Sequence, residues 1–236
     1  MPAHEHPGFG ASIVLGGALE ETARGHARQA GAAEVVVKPA ATRHANRFGS
    51  GGARLLSFQL HPTLGNPWLT DVRGVSRWCW FAAAPALGIA VQLLRGTHAS
   101  ERTGEQLEAA FLDLLLLVAA EDRSSERLPP RWLVQVRDRL HAEHCGPCRV
   151  RELADAAGVH PVHLARAFRR HYGRSVTDYL RQIRVGAAAA RLAAGESSVA
   201  RIAADSGFAD QSHLSRSFKR LAGAPPAAYR AFARRV

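Results

Sequence analysis

The sequence predicts a two-domain α+β protein, in which an N-terminal β-barrel with following helices precedes an all-α C-terminal domain. The first sixty residues are rich in short β-type segments, whereas the sequence after about residue 83 has the periodicity of helices. One helical pattern also occurs twice near the C terminus, with its copies about fifty residues apart. We therefore place the domains at residues 1–120 and 131–236, joined by a linker over 121–130.

The net charge of +11 lies entirely in the second half of the chain. Residues 131–236 hold 19 Lys and Arg against 8 Asp and Glu, while residues 1–130 hold 12 of each sign. A basic domain of this kind is typical of proteins that bind the phosphate backbone of nucleic acid. The neutral first half is then free to act as a sensor.

The first sixty residues contain five β-type segments separated by glycine, proline and asparagine, which favours a barrel or a sandwich. In order they are SIVLGG, ALEET, AEVVVKP, HANRF and ARLLSFQL. Two helical segments follow, PALGIAVQLL and GEQLEAAFLDLLLLVAA. The second carries an apolar stripe that suits either a core or a dimer interface. The stripe consists of Leu107, Ala110, Phe111, Leu114, Leu115 and Val118.

A charged, serine-containing segment that ends in two prolines, EDRSSERLPP, predicts the linker. An opening helix is predicted from Trp132 to His141. The repeated pattern then begins with ELADAAGVHPVHLARAFRRHYG and recurs as RIAADSGFADQSHLSRSFKRLAG. Each copy has a short apolar helix, a glycine, a turn and a longer helix with a basic face, which is the helix-turn-helix order. Gly158 and Gly207 are predicted to end the short helices in the left-handed conformation.

The starts of the longer helices are also predicted. Pro161 suits the first turn of one helix, and Asp210 is a good N-cap for the other. Between the two copies, an alanine-rich segment predicts one long helix that begins at Ser175, with Asp178 completing the cap. A rigid connection of this kind would present two recognition helices to successive major-groove faces, about 34 Å apart on DNA.

Three sequence blocks in order carry a family resemblance. They are ELADAAGVHPVHLARAFRRHYG, GRSVTDYLRQIRVGAAAARL and IAADSGFADQSHLSRSFKRLAGAPPAAYR, and over about residues 131–233 they resemble the AraC/XylS family of bacterial transcription regulators. The resemblance implies a seven-helix DNA-binding domain with two helix-turn-helix motifs. By matching position, the base-reading residues fall on Val162, Ala165, Arg166, Gln211, Ser212 and Arg216. The basic residues beside them, expected on the DNA backbone, are Arg169, Arg170, Lys219 and Arg220.

The two predicted recognition helices are chemically unequal. Val162 and Ala165 offer only apolar contact, whereas the arginines and Gln211 have donors that match base edges in the major groove. The second copy is therefore expected to contribute at least as much sequence specificity as the first. Many relatives have serine where this chain has His160, so we expect a weaker cap on the first recognition helix.

The N-terminal segments HEHPGFGASIVLGG and VVVKPAATRHANRF resemble the two motifs of the cupin barrel. This resemblance implies that His4, His6 and His44 converge, in a geometry that suits a divalent metal. The glutamate that usually follows the first motif is replaced by Gly10. No cofactor is required by the sequence, and an organic effector in the barrel or a purely structural barrel remain alternatives to the metal.

The segment HAEHCGPC offers a second place for redox or zinc chemistry. Cys145 and Cys148 have C-x-x-C spacing, and two histidines precede them. A turn in which Cys148 fills a small apolar position is the alternative. The chain has three cysteines, an odd number, which argues against a disulfide framework.

The leading functional hypothesis is a cytoplasmic transcription regulator, not an enzyme, that binds double-stranded DNA at promoters or operators. Its expected partners are a small-molecule or metal effector, a second copy in a homodimer, and RNA polymerase. No membrane partner is expected, because the sequence lacks a long uncharged apolar run. Two alternatives are a metal-dependent cupin enzyme fused to a DNA-binding domain and an architectural DNA binder that senses nothing. An alkyl-transfer repair protein is excluded, since its four-cysteine zinc site needs more cysteines than the chain has.

Overall fold

The computed structural model describes residues 1–60, 75–95, 104–124, 128–195 and 197–234. Within them, one antiparallel sheet precedes a series of helices. The strands are β1 (Gly10–Ala23), β2 (His26–Ala30), β3 (Glu34–Lys38), β4 (His44–Gln59) and β5 (Cys79–Ala82). The helices are α1 (Ala84–Arg95), α2 (Gly104–Ser124), α3 (Arg131–Ala142), α4 (Val150–Ala156), α5 (Pro161–Tyr172), α6 (Val176–Ala194), α7 (Val199–Asp205), α8 (Gln211–Ala222) and α9 (Pro226–Ala233).

Strand β1 forms the centre of the sheet. Strand β4 pairs along one of its edges, beginning with His44 opposite Ala23. The other edge is shared by β2 and β3, and β5 continues outward from β3. A register shift between Gly17 and Leu19 marks a bulge, which lets one long strand bend. The predicted segments SIVLGG and ALEET are therefore one bent strand, and HANRF and ARLLSFQL likewise belong to one strand.

Within the described residues the sheet forms a half-barrel, where a cupin-like β-barrel was predicted. Helices α1 and α6 pack on one face of β1, where Ile13 and Leu15 are fully buried, and α2 packs on α1. These helices bury the apolar surface that closing strands would cover in a barrel. Residues 61–74 lie outside the described residues.

The sheet shares a hydrophobic core with the second half of the helical domain. Ile13 and Leu15 belong to the same buried cluster as Leu192, Phe218 and Tyr229, which we call the shared core. The first half of the helical domain has its own cluster, the separate core, formed around Leu133, Leu140, Leu153, Leu164, Phe168 and Leu180. The two cores therefore do not coincide with the two halves of the sequence.

Helix α2 extends into the segment predicted as a linker. It continues through Glu121 to Ser124, so residues 121–124 are helical. The carboxylate of Glu121 lies 3.6 Å from the guanidinium of Arg174, and this ion pair ties the helix end to the helical domain. The linker prediction is thus wrong for its first four residues, and residues 125–127 lie outside the described part.

The apolar stripe predicted on α2 is mostly core. Four of its members are buried in the shared core, namely Ala110, Leu114, Leu115 and Val118. Leu107 is instead 45% exposed, and Leu112 and Leu116, which were not assigned to the stripe, are 43% and 65% exposed. No helix among the described residues combines the length and the apolar character needed to cross a membrane.

Candidate nucleic-acid interface and metal centre

Helices α4 and α5 form one helix pair, and α7 and α8 form a second pair of the same design. Each pair turns at a glycine in the left-handed region, with φ of +66° at Gly158 and +78° at Gly207, as predicted. A side chain at Gly207 would also collide with the carbonyl oxygens of His144 and Cys145. Glycine is therefore required there both for conformation and for space.

Helices α5 and α8, the longer helix of each pair, both begin at the predicted residues. At the start of α5, Nδ1 of His160 accepts a hydrogen bond of 3.3 Å from the main-chain N–H of Val162. At the start of α8, the carboxylate of Asp210 accepts a shorter one, 2.6 Å, from the N–H of His213. The imidazole thus replaces the usual serine as an N-cap, through a longer bond than the aspartate makes.

Helix α5 separates a buried face from an exposed one. Leu164 and Phe168 are fully buried in the separate core. Val162 is 50% exposed, although it is apolar. The five side chains predicted to face DNA from this helix are all exposed: Val162, Ala165, Arg166, Arg169 and Arg170.

Helix α8 has the same division. Leu214 and Phe218 are fully buried in the shared core, and the back of α8 packs against helix α1 of the N-terminal half. The five predicted side chains are all exposed: Gln211, Ser212, Arg216, Lys219 and Arg220. The second helix pair can therefore pack against the N-terminal half while the basic face of α8 stays exposed.

Several cations on these faces have no side-chain partner within the described residues. Neither a hydrogen bond nor an ion pair is found for the side chains of Arg166, Arg216 and Lys219. Other basic side chains of the helical domain are paired, such as Arg201, whose Nε lies 3.0 Å from the carboxylate of Asp205. Unpaired guanidinium and ammonium groups keep all their donors for an external acceptor such as phosphate or a base edge.

Helix α6 joins the two pairs as one rod. The hydroxyl of Ser175 accepts a 3.1 Å hydrogen bond from the N–H of Asp178, which confirms the predicted cap. Nineteen residues of α-helix span about 28 Å. Val176 and Leu180 pack into the separate core, whereas Leu192 packs into the shared core. The helix is thus held at both ends.

The loop after α3 supplies a second connection between the pairs. Arg184 of α6 donates hydrogen bonds of 2.7 Å and 2.8 Å to the main-chain carbonyls of His144 and Gly146. The same loop lies against Gly207, in the turn of the second pair. Sequence reasoning did not single out Arg184, because an arginine on a helix face carries no signal of its partner.

The arrangement of the cysteines in this loop favours a structural role. The thiol of Cys145 donates to the carbonyl of Asp205 at 3.1 Å, and Cys148 packs against the separate core. Burial raises the pKa of the Cys148 thiol, which disfavours the reactive thiolate.

A cavity of about 570 Å³ lies between strands β2, β3 and β5 of the sheet and helices α3 and α6 with the end of α5. Its wall includes Trp80, with the guanidinium carbon of Arg28 at 5.5 Å from the ring centre. The hydroxyl of Tyr172 is buried on another wall and has no hydrogen-bond partner within the described residues. This cavity touches both halves of the chain, although sequence reasoning placed the effector within the barrel.

The three histidines of the predicted metal site are brought together. The ligand nitrogens of His4, His6 and His44 all lie within 4.8 Å of one another. His4 and His44 also exchange main-chain hydrogen bonds of 2.8 Å, which fix the N-terminal segment against β4. Burial lowers the pKa of His6 and of His44, which favours the neutral imidazoles that metals bind.

Glu21, which sequence reasoning did not include, lies beside this cluster. Its side chain is fully buried on β1, and one carboxylate oxygen is 3.6 Å from Nε2 of His44. The ammonium of Lys38 is 3.5 Å from the same oxygen. Burial raises the pKa of the Glu21 carboxyl, although Lys38 acts in the opposite direction.

Comparisons with known proteins concern mainly the helical domain. Residues 153–231, which span both helix pairs, match a helix-turn-helix domain family. A protein named as an AraC-like transcription regulator in Streptomyces lividans is 31% identical over 194 residues, covering 78% of this chain and 60% of that protein. The HTH-type transcriptional regulator GlxA of Rhizobium meliloti is 40% identical over 78 residues, covering 33% of this chain and 24% of GlxA.

Among solved structures, the C-terminal domain of AraT, a response regulator from Geobacillus stearothermophilus, aligns with a TM-score of 0.43 and 25% identity. The alignment covers 44% of this chain and 88% of that domain. The chain spans at most 60% of the length of the two curated relatives above. Residues 153–231 thus carry a helix-turn-helix domain, and the chain is similar to AraC-like transcription regulators.

Proposed function

We propose that the chain is a cytoplasmic transcription regulator that binds specific DNA sequences through two helix-turn-helix motifs. The observation that carries this proposal is the pair of exposed faces on α5 and α8, whose cations Arg166 and Arg216 lack partners within the described residues. Gln211 adds an amide that matches adenine in the major groove. The helix-turn-helix match and the names of the relatives support the same function.

The two motifs would act together on one side of DNA. Helix α6 and the hydrogen bonds of Arg184 join the pairs by two routes. Such a connection restricts the relative motion of α5 and α8. We therefore expect an operator with two contacted segments, about one helical turn of DNA apart.

Selection of binding sites from random DNA by the full chain tests this function. We expect a defined sequence motif with two contacted segments, and loss of the motif when Arg166, Gln211 and Arg216 are all replaced by alanine. The matched control replaces Arg201, which lies on α7 instead of on α5 or α8 and is paired with Asp205. Enrichment of no motif would instead support an architectural binder, since phosphate contacts carry no sequence information.

The N-terminal half would be the sensor, with a small molecule or a metal as effector. The cavity between the sheet and helices α3 and α6 supports a small molecule, because a ligand there would touch both halves of the chain. The histidine cluster supports a divalent metal. Either effector must bind two arrangements of the chain with different affinity to change its action on DNA.

The histidine cluster also favours a second candidate, a metal-dependent cupin enzyme fused to a DNA-binding domain. The two functions differ in whether the metal and the DNA affect each other's binding. A regulator binds operator DNA with an affinity that changes when Zn²⁺ is added, because linkage makes the effect reciprocal. An affinity for DNA that does not change when the metal binds would favour the enzyme.

We further propose a homodimer that contacts RNA polymerase at promoters. Leu112 and Leu116 of α2 lie close together on the helix surface and are both exposed, which suits an apolar interface between two copies. Sedimentation of the full chain is expected to show a dimer that Leu116→Glu dissociates. A wild-type chain that sediments as a monomer would contradict the dimer.

A further inference from the structure

Helix α1 of the N-terminal half meets the second recognition helix through the main chain. A Cβ atom at Gly88 of α1 would lie 3.4 Å from the carbonyl carbon and 3.5 Å from the carbonyl oxygen of Ala222, at the end of α8. The next residue, Gly223, is the left-handed C-cap of α8, and a Cβ atom there would lie 3.7 Å from Cα of Gly88. The backbones of the two helices are therefore in contact at this point.

The surroundings of this contact are tightly packed. Leu87 and Ala90 of α1 are fully buried, as are Phe218 and Ala222 of α8, and all four belong to the shared core. Close-packed interiors deform little and pass a displacement from one element to the next. A change in the distance between the two helices therefore moves the end of α8.

Helix α1 is itself held by the sheet. The N–H of Ala83, just before the helix, donates a hydrogen bond of 2.8 Å to the carbonyl of Ala33, just before β3. Strand β5 ends at Ala82 and leads directly into α1, and its residues Trp80 and Phe81 line the cavity described above. The helix also packs on β1 and β3. Helix α1 thus fixes the position of α8 relative to the sheet.

The first recognition helix is held in a different way. Leu164 and Phe168 place the back of α5 in the separate core, and α5 meets the N-terminal half at α2. The atoms nearest to a Cβ atom at Gly88 belong instead to the end of α8. A change at Gly88 should therefore alter where α8 lies relative to α5.

We propose that Gly88 is a positioning residue for DNA recognition by the second helix pair. Because it has no side chain, α8 lies close to α1, and this distance sets the place of Gln211 and Arg216 relative to Arg166 of α5. Arg216 is only about 9 Å from Ala222 along the helix axis, so it follows a movement of the helix end. The inference rests on the proposed function, in which both helices read one operator.

Replacement of Gly88 by valine tests this role. Valine carries two methyl groups that are held mainly in one rotamer in a helix. They extend beyond a Cβ atom that is already in contact with Ala222, so α1 and α8 must separate. Gly88→Ala is the conservative control, because its Cβ atom stays at the ordinary contact distance of 3.4 Å. Val14→Ala is the control for stability, since Val14 is buried in a smaller cluster that is separate from the shared core.

Each variant of the full chain selects sites from random DNA, and selection by Arg216→Ala identifies the segment of the wild-type motif that α8 reads. Gly88→Val should keep the segment read by α5 and lose, or change the spacing of, the segment read by α8. Its affinity for the wild-type operator should fall about tenfold. Gly88→Ala and Val14→Ala should select the wild-type motif. Circular dichroism and urea unfolding verify that the variants are folded.

A purely structural role of Gly88 gives different results. A loss of stability lowers the amount of folded protein but leaves the selected motif unchanged, so a wild-type motif from Gly88→Val would overturn the inference. Global unfolding of Gly88→Val would also overturn it, because Gly88 would then hold the whole fold. The same altered motif from Val14→Ala would overturn it as well. A wild-type chain that selects no motif would overturn the proposed function too, which distinguishes the two failures.

Discussion

The hydroxyl of Tyr229, on the last helix, donates a hydrogen bond of 2.5 Å to the main-chain carbonyl of Leu15, on the first strand. Both residues are fully buried in the shared core. Burial raises the pKa of Tyr229, so the hydroxyl keeps the proton that it donates. This bond joins residues that are 214 positions apart, and it ties α9 to the sheet. The ring of Tyr229 also packs against Phe218 of α8, with ring centres 5.3 Å apart.

Replacement of Tyr229 by phenylalanine should destabilise the full chain. The ring can still fill its place, but the carbonyl of Leu15 loses a buried donor, which costs about 1–3 kcal/mol. Urea unfolding measures the change. Tyr172→Phe is the matched control, because the Tyr172 hydroxyl has no partner within the described residues, and it should be close to neutral. Equal effects of the two variants would contradict a specific role of the bond.

Gly16 tests how closely the sheet and helix α6 approach each other. A Cβ atom at Gly16 would lie 2.7 Å from Cβ of Ala193, so one of the two elements must move. Gly16→Ala should therefore lower the free energy of unfolding by about 1–3 kcal/mol, the usual cost of overpacking. Gly31→Ala serves as control, since a Cβ there meets nothing within 4 Å. A tolerated Gly16→Ala would show that this contact is loose.

The cap of α6 gives a pH-dependent prediction. The hydrogen bond from Ser175, followed by the ion pair with Arg181, lowers the pKa of Asp178 below its usual 3.8. This stabilisation is present above about pH 4 and is lost as the pH falls through the folded-state pKa. Ser175→Ala should cost about 1 kcal/mol at pH 7 and less at pH 3, measured by urea unfolding.

Ser198 is the control for this pH effect. Its hydroxyl caps α7 by accepting from the N–H of Arg201, and no carboxylate among the described residues takes part in that cap. Ser198→Ala should therefore cost the same at both pH values. A loss from Ser175→Ala that is equally large at pH 3 would contradict the role given to Asp178.

Arg184 is expected to hold the two helix pairs in register for DNA. Arg184→Met keeps the length of the side chain but loses both hydrogen bonds to the loop carbonyls. Affinity for a two-segment operator should fall about tenfold, whereas binding to a single segment should hardly change. Arg181→Met, one turn earlier and paired with Asp178, is the control. Equal losses on both DNA targets would indicate a general effect on folding.

Local signals predicted the helical domain well, because its helices start and stop at residues with strong conformational preferences. Gly158 and Gly207 have the predicted left-handed conformation, and Ser175 and Asp210 have the predicted cap bonds. Amphipathic spacing also separated buried from exposed residues on α5 and α8.

The sequence was less informative where contacts join distant parts of the chain. Glu21 and Tyr229 act through partners 23 and 214 positions away, and nothing in the local pattern names those partners. Whether the sheet closes into a barrel also depends on which elements cover its apolar face. Here helices cover that face. The shared core was missed for the same reason.

Quantitative DNA binding by Arg216→Ala and Lys219→Ala, on the selected operator and on variants of it, tests most directly whether α8 reads bases. Arg216→Ala should cost about 1–3 kcal/mol and relax specificity at one base pair. Lys219→Ala should weaken binding to all sequences alike and reduce the salt dependence by about one ion. An Arg216→Ala variant that loses affinity equally for every sequence would contradict sequence reading by α8.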